Sequence, residues 1–106
     1  MTSHTFQRTG DCTLTVSLGG DLTASGVPGL QTELKQHLVD TISELIFDLS
    51  GAAMLDSSGI GLLIASANSM TRRNGRIRAV NASADILQLF QSMRLVGRLN
   101  VAGRQA

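Results

Sequence analysis

Short apolar runs with the character of β-strands alternate with single amphipathic helices along this chain. In residues 12–18, leucine and valine alternate with hydroxyl residues, which is the period of a half-buried strand. Residues 45–49 and 76–80 form two further runs of strand length. The segments between these runs carry apolar residues at helical spacing. Strands joined through a helix run in the same direction, so the pattern predicts an α/β fold with a mostly parallel or mixed sheet.

The predicted element order is β-β-α-β-α-β-α, with one further element at the end. The chain opens with a hairpin that turns at Gly10-Asp11. Pro28 marks the first turn of the first helix, and Ser83 caps the third helix. Leu95–Val101 adds either an edge strand or a short helix. We therefore expect a single domain over residues 1–106, built on a four- to five-stranded mixed sheet flanked by helices.

The composition fits a small protein of a reducing compartment. A chain of 106 residues can bury a core of its own without a metal or disulfides. Its one cysteine excludes an internal disulfide framework. No apolar stretch approaches the roughly 18 residues that span a bilayer, and residues 1–5 lack the basic flank and apolar run of a secretion signal. We expect a cytoplasmic protein without a membrane partner.

Charge is distributed unevenly along the chain, although its formal net value is only +1. Residues 1–71 hold two basic and seven acidic side chains, whereas residues 72–106 hold seven arginines and one acidic residue, Asp85. The arginines are interleaved with apolar residues such as Ile77 and Leu95, which is typical of solvent-facing positions in folded elements. Aromatic residues, which stack on nucleobases, make up only 3% of the chain. The sequence therefore predicts no nucleic-acid partner.

Residues that carry catalysis are sparse. His4 and His37 have no patterned carboxylate or nucleophile beside them, and we expect both to be solvated surface groups. Cys12 fits a small core side chain of a strand, and the Cys and His inventory is too thin for a structural metal site. Gly59-Ile60-Gly61 lacks the third glycine of a dinucleotide fingerprint, and Ser57 does not stand in a Gly-x-Ser-x-Gly elbow. We expect neither an enzyme nor a cofactor.

The segment Asp56-Ser57-Ser58-Gly59 stands where the long second helix begins. Aspartate and serine side chains cap helices by accepting hydrogen bonds from free N–H groups, which stabilises a helix by about 1 kcal/mol. Capping accounts for a single aspartate or serine here, but not for three such residues in a row followed by a glycine. Gly59 costs about 1 kcal/mol relative to alanine inside a helix. Close approach of another chain's backbone, or of a bulky group, would account for this glycine.

A phosphoryl group on a serine at this position would add about −1.5 to −2 charges. Free N–H groups and the positive end of the helix dipole favour negative charge there, so the fold can hold the group without breaking. A docked partner that presents an acidic or apolar patch would be expelled. The motif therefore predicts a reversible switch of binding.

Several segments together resemble the STAS domain family, and in particular bacterial anti-sigma factor antagonists. The most specific is the motif Asp-Ser-Ser-Gly-aliphatic-Gly at residues 56–61, which follows a strand-like apolar segment. Phe47-Asp48-Leu49-Ser50, Arg73-Asn74-Gly75 and Leu87-Gln88-Leu89-Phe90 add to the resemblance, which covers nearly the whole chain at matching length. The family implies a four- to five-stranded mixed sheet flanked by helices.

The resemblance also implies a function. The unphosphorylated protein would bind an anti-sigma factor, which is itself a serine kinase of the GHKL type, and so release the sigma factor. The kinase would phosphorylate Ser57 and abolish binding, and a PP2C-type phosphatase would remove the phosphoryl group. The residues implied in partner binding are Asp21, Thr23, Asp56, Ser58, Gly59 and Ile60. Many members carry an acidic residue where this chain has Thr23.

Other functions are compatible with the same residues. Stressosome-type scaffolds and partner-switching regulators of non-sigma targets, such as biofilm formation or secretion, use the same kind of serine. STAS components of lipid transporters generally lack the phosphorylatable pair, so Ser57-Ser58 argues against them. A nucleotide-binding or ligand-binding module would place a phosphate at the same helix N-terminus. A serine hydrolase is the enzymatic alternative.

Overall fold

The computed structural model describes residues 4–103, which form a five-stranded sheet and four helices. The sheet has the order β1-β2-β3-β4-β5, with β1 antiparallel to β2 and all other neighbours parallel. The predicted α/β fold with a mixed sheet and flanking helices is confirmed. In chain order the elements are β1 His4–Arg8, β2 Thr13–Leu18, α1 Val27–His37, β3 Glu44–Asp48, α2 Ser57–Arg72, β4 Arg76–Ala82, α3 Ala84–Ser92, α4 Val96–Leu99 and β5 Val101–Gly103.

One face of the sheet carries the core. The strand register aligns Val16, Phe47 and Ala79 across β2, β3 and β4, and all three side chains are buried. Leu63 of α2 and Phe90 of α3 belong to the same hydrophobic cluster. The helices therefore cover this face, and burying it supplies the main driving force for folding.

The opposite face of the sheet carries half-buried and exposed side chains. Arg76 and Arg78 are exposed on β4, whereas Ile77 between them is buried. The interpretation of these arginines as solvent-facing positions of a folded strand is confirmed. Arg104 and residues 1–3 lie outside the described residues.

The parallel strands bring two loops together at one edge of the sheet. Because β2 and β3 are parallel neighbours, the loops that follow them, residues 19–26 and 49–56, lie side by side. Helix α2 begins directly after the second loop. We call these two loops together with the first turn of α2, residues 57–60, the lip.

The end of the chain combines the two predicted alternatives. Residues 95–101 contain the short helix α4 and lead into the edge strand β5, with Asn100 in the left-handed region between them at φ +49°. The side-chain amide of Asn100 donates to the carbonyl of Ile77 at 2.8 Å. Asparagine tolerates this backbone conformation better than most residues, which allows a helix and a strand within so few residues.

Two expectations for individual side chains were wrong. Cys12 precedes β2 and is exposed, so it is not a core side chain. His4 is mostly buried, with 15% of its side chain exposed, and its Nε2 lies 2.7 Å from Oε2 of Glu33 on α1. His37 is exposed as expected, although its ring stacks on Phe6 with centroids 4.3 Å apart. The sequence pattern near each histidine does not show that β1 packs beside α1, and this packing brings His4 to Glu33 and Phe6 to His37.

Within residues 4–103, no helix is long and apolar enough to cross a bilayer. The same residues contain no group of three or more His, Cys, Asp or Glu side chains placed to hold a metal ion.

Candidate functional site

Helix α2 begins at the lip because Asp56 caps it. Asp56 has extended backbone angles, and its Oδ1 accepts a hydrogen bond from the N–H of Gly59 at 3.0 Å. Its backbone carbonyl accepts from the N–H of Ile60 at 3.0 Å. Ser57 is therefore the first helical residue and stands at the positive end of the helix dipole.

The second carboxylate oxygen of Asp56 joins the two loops of the lip. Its Oδ2 accepts a hydrogen bond from the N–H of Ala24 at 2.8 Å. The N–H groups of Gly59 and Ala24 lower the pKa of Asp56 below its ordinary value of 3.8. The carboxylate is consequently ionised at neutral pH and holds a backbone group on each side of the lip.

Asp21 of the first loop binds the backbone of the second loop, the reverse of the contact that Asp56 makes. Its Oδ1 accepts hydrogen bonds from the N–H groups of Ala53 at 2.7 Å and Met54 at 3.1 Å. Leu22 and Leu55 form a parallel β-bridge between the same loops. Each loop thus supplies one aspartate that binds the backbone of the other, and hydrogen bonds to charged groups are the stronger kind.

Gly59 is required by packing within this chain. A Cβ atom at this position would lie 2.7 Å from the backbone carbonyl oxygen of Leu22 and 3.1 Å from its Cγ. We expected another chain or a bulky group to approach this glycine, whereas the group that approaches is Leu22 of the same chain. Gly59 therefore lets α2 sit directly against the first loop.

The lip exposes only part of the predicted contact set. Ser57 is exposed, and its hydroxyl forms no hydrogen bond with any residue between 4 and 103. Ser58 is half-buried, Gly59 is buried, and Ile60 is 8% exposed and belongs to the core. The fold brings the predicted residues together, but an incoming partner meets Ser57 well before it can reach Ile60.

Thr23 lies in the first loop of the lip and has local partners. Its hydroxyl lies 3.1 Å from that of Ser25, and its carbonyl accepts from the N–H groups of Gly26 and Val27. Thr23 is half-buried, so its methyl and hydroxyl groups stay partly within reach of solvent.

Met54 was missed by sequence reasoning. It lies three residues before Ser57, and 45% of the residue is exposed, which is unusual for a large apolar residue. Met54 and Leu55 are adjacent apolar residues in the sequence, and only Leu55 is buried. No local signal distinguishes the two, because the bridge to Leu22 determines which one turns inward.

No histidine that could serve as the base of a nucleophilic serine lies at the lip among residues 4–103. Of the two histidines, His4 lies on β1 against Glu33, and His37 ends α1 at the far end of that helix from the lip. What the lip can do chemically is present an unpaired hydroxyl on a braced backbone.

The fold is similar to solved structures of anti-sigma factor antagonists, at identities low enough to show the fold alone. SpoIIAA in its unphosphorylated form is 20% identical, with a TM-score of 0.82 over 94% of this chain and 88% of that one. The Bacillus cell fate determinant SpoIIAA in the phosphorylated form is 20% identical, with a TM-score of 0.77 over 94% and 91%. An anti-sigma factor antagonist from Mycobacterium paratuberculosis is 18% identical, with a TM-score of 0.82 over 96% and 86%.

At the level of sequence, no curated protein matches this chain. A protein-family model described as "Mlab, STAS domain" does match it, over residues 4–101. These residues include the whole lip and every helix. The chain therefore belongs to the STAS domain family.

Proposed function

We propose that this protein is an anti-sigma factor antagonist regulated by phosphorylation of Ser57. Its unphosphorylated form binds an anti-sigma factor that is a serine kinase of the GHKL type, and the sigma factor is released. Phosphorylation of Ser57 abolishes binding, and a PP2C-type phosphatase restores it. The cycle takes place in the cytoplasm and needs no cofactor on this chain.

The observation that carries the proposal is the exposed hydroxyl of Ser57 on a braced surface. Asp21 and Asp56 hold the two loops by four hydrogen bonds to backbone N–H groups, between 2.7 and 3.1 Å long. A surface fixed in this way costs little conformational entropy when it docks. A kinase can reach the Ser57 hydroxyl without disturbing any hydrogen bond described for it.

Phosphorylation would act on this surface through charge. Asp56 already accepts from the Gly59 N–H and so occupies the N-terminal end of α2. A phosphoryl group on Ser57 would therefore project toward solvent, with Asp56 beside it, and would add about −1.5 to −2 charges to a site that holds a carboxylate. A partner seated on Ser57 is expelled by this bulk and charge while the helix and its cap remain in place.

The similar structures support a cycle of this kind. SpoIIAA has been described both in an unphosphorylated and in a phosphorylated form, and both have the fold of this chain. That fold tolerates a phosphoryl group in SpoIIAA, which is the behaviour the proposal requires here. Thr23, which replaces the acidic residue of many antagonists, would reduce the charge offered to the kinase by the first loop.

The proposal is tested with the anti-sigma factor kinase of the same genome, purified and titrated against variants of this chain. We expect Ser57→Asp to weaken binding by at least about 100-fold, while Ser57→Ala binds as the wild type does but is not inactivated by ATP and magnesium. Ser43→Asp adds the same charge at an exposed position of the opposite sheet edge and is expected to leave affinity within about twofold.

Several outcomes would contradict the proposal. Equal binding by wild type and Ser57→Asp removes the switch, and intact-mass analysis that places the phosphoryl group on Ser58 removes the site assignment. A thermal shift with free nucleotide alone would favour a ligand-binding module. Phosphorylation by a kinase that does not bind a sigma factor would indicate a stressosome-type scaffold or a partner-switching regulator of another target.

A second candidate function follows from the family match. The model that matches is described as "Mlab, STAS domain" and not as an anti-sigma factor antagonist. We therefore keep a STAS component of a lipid transporter as the alternative, although the Ser57-Ser58 pair argues against it. Such a component would use the lip without phosphorylation. In that case Ser57 stays unmodified with every serine kinase of the genome, and the chain copurifies with transporter subunits in a constant ratio.

A further inference from the structure

We infer that Met54 is the anchor residue of the partner interface, inserting into an apolar recess of the anti-sigma factor kinase whose rim is cationic. The inference rests on the proposed function and adds a residue and a partner chemistry to it. Its evidence is the exposure of Met54, the rigidity of its backbone and the charge around it.

Large exposed apolar side chains are few, and one of them lies beside Ser57. Among residues 4–103, Val39, Met54 and Met93 are exposed by 44%, 45% and 44%. Only Met54 belongs to the lip, and three peptide units separate it from Ser57, so their Cα atoms lie within about 11 Å. A partner interface of ordinary size that is centred on Ser57 extends far enough to include Met54.

The backbone of Met54 is held from two sides. Its own N–H and that of Ala53 donate to Asp21, and the Ala53 carbonyl accepts from the Ser83 hydroxyl at 3.2 Å. A loop fixed by three such bonds presents its side chain at one place before binding. Residues of this kind make effective interface anchors, because little order has to be gained on docking.

The surface beside Met54 is concave and continues the lip toward α3. A shallow depression of about 240 Å³ lies between the loop after β3 and the start of α3. Its lining residues are Ser50, Gly51, Ala52, Ala53, Ser83 and Asp85. Met54 follows directly on Ala53 at the border of this depression, and the residues that line the depression are small apart from Asp85.

The charged side chains of the surrounding loops are all acidic. Residues 19–26, 49–56 and 83–85 contain Asp21, Asp56 and Asp85 and no lysine or arginine. A complementary partner surface therefore places lysine or arginine around an apolar recess, which favours fast, salt-dependent association. Methionine suits such a recess because its thioether is flexible and polarisable.

The experiment compares substitutions at two equally exposed methionines, with the anti-sigma factor kinase as the probe. We expect Met54→Gln to weaken binding by at least about tenfold, because an amide of similar length cannot enter an apolar recess. Met54→Leu keeps the apolar volume and is expected to stay within about threefold of wild type. Met93→Gln, at the C-terminal end of α3, is expected to change affinity by less than about twofold.

Each outcome separates the anchor from the switch. If Met54→Gln and Met93→Gln bind alike while Ser57→Asp still abolishes binding, the anchor is refuted and the proposed function stands. If Ser57→Asp binds as the wild type does, the proposed function fails whatever Met54 does. An association rate of the wild type that does not change with salt contradicts the cationic rim.

Discussion

The two ends of helix α2 are fastened by matching devices of opposite charge. At its N-terminal end, the carboxylate of Asp56 accepts from the backbone N–H groups of Ala24 and Gly59. At its C-terminal end, the guanidinium of Arg73 donates to the carbonyls of Val39 and Ile42 at 2.8 and 3.2 Å. Each charge also has the sign that the helix dipole favours at that end.

Each end also depends on a glycine for close approach of another segment. A Cβ on Gly59 would lie 2.7 Å from the carbonyl oxygen of Leu22, and a Cβ on Gly75 would lie 2.7 Å from that of Ser43. Bracing and close packing are therefore general means of holding this helix on the sheet, and they do not by themselves indicate a binding site.

The two ends differ in what they leave open to solvent. The N-terminal end exposes a serine hydroxyl without a hydrogen-bond partner among the described residues, three residues from an exposed methionine. At the C-terminal end, the neighbouring hydroxyl of Thr71 donates to the carbonyl of Ala67. Ser43 beside Gly75 also exposes a hydroxyl, but it precedes β3 and has no exposed large apolar residue next to it in sequence. The lip is the candidate site because its free hydroxyl stands on the first residue of the helix, close to Met54.

The largest expected effect on stability comes from filling the two close contacts. Gly59→Ala and Gly75→Ala should each lower the free energy of unfolding by about 1–3 kcal/mol, because backbone atoms have to move apart. Gly61→Ala, which meets nothing within 4 Å on the same helix, should raise stability by about 0.5–1 kcal/mol. Urea unfolding measures the free energy of unfolding of all three variants. If Gly59→Ala does not change it, the close contact at the N-terminal end is not comparable to that at Gly75.

A smaller effect is expected from removing the C-terminal brace. Arg73→Ala should destabilise the fold by about 1–2 kcal/mol, since two charge-assisted hydrogen bonds are lost and two carbonyls lose their partner. Arg72→Ala, its exposed neighbour, should stay within about 0.5 kcal/mol of wild type. Affinity for the kinase should be unchanged in both variants. Weaker binding by Arg73→Ala would mean that the brace at the far end also supports the lip.

The smallest effect is a change in the acid limb of the stability profile. The pKa of Asp56 is lowered in the folded state by the N–H groups of Gly59 and Ala24, so its stabilising effect is complete above the ordinary value of 3.8. The effect is lost as pH falls from that value through the lower pKa of the folded state. Asp56→Asn should therefore be less stable than wild type at neutral pH, and the difference should narrow in acid.

Thermal unfolding at a series of pH values measures this difference. Ser57→Ala leaves the carboxylate in place and should give a curve parallel to that of the wild type. A gap between wild type and Asp56→Asn that stays constant down to the most acidic condition would show that the hydrogen bonds of Asp56 do not depend on its charge.

The elements of the fold were predictable because their signals are local. The alternation in β2, the serine cap of α3 and the apolar stripe of α2 each lie within a few residues. For the candidate site, local signals showed that a cap stands at residues 56–58 and that Gly59 needs a reason. They left open which residue caps the helix, and they explained Gly59 by the approach of another chain or a bulky group, whereas Leu22 of the same chain approaches it.

The remaining features of the site depend on contacts between distant segments. Asp21 binds N–H groups 32 and 33 residues away, and Asp56 binds one 32 residues away, so neither role has a local pattern. Contacts between distant segments also decide the exposure of Met54, through the bridge of Leu22 to Leu55, and the burial of His4 beside Glu33, 29 residues away. Both follow from which strand or loop lies alongside, and that is known only once the chain has folded.

The order and period of apolar residues alone thus determined that this chain builds a mixed sheet with helices on it and begins a long helix at a serine pair. These features can be predicted because the backbone geometry of a helix or a strand fixes the spacing of its buried residues, and that spacing is visible among neighbouring residues. Only the tertiary structure decided which polar group of the lip is already used and which stays free. Whether a polar group of the lip forms a hydrogen bond or becomes buried depends on which segment the fold places beside it. For Asp21 and Asp56 that segment lies some thirty residues away in sequence.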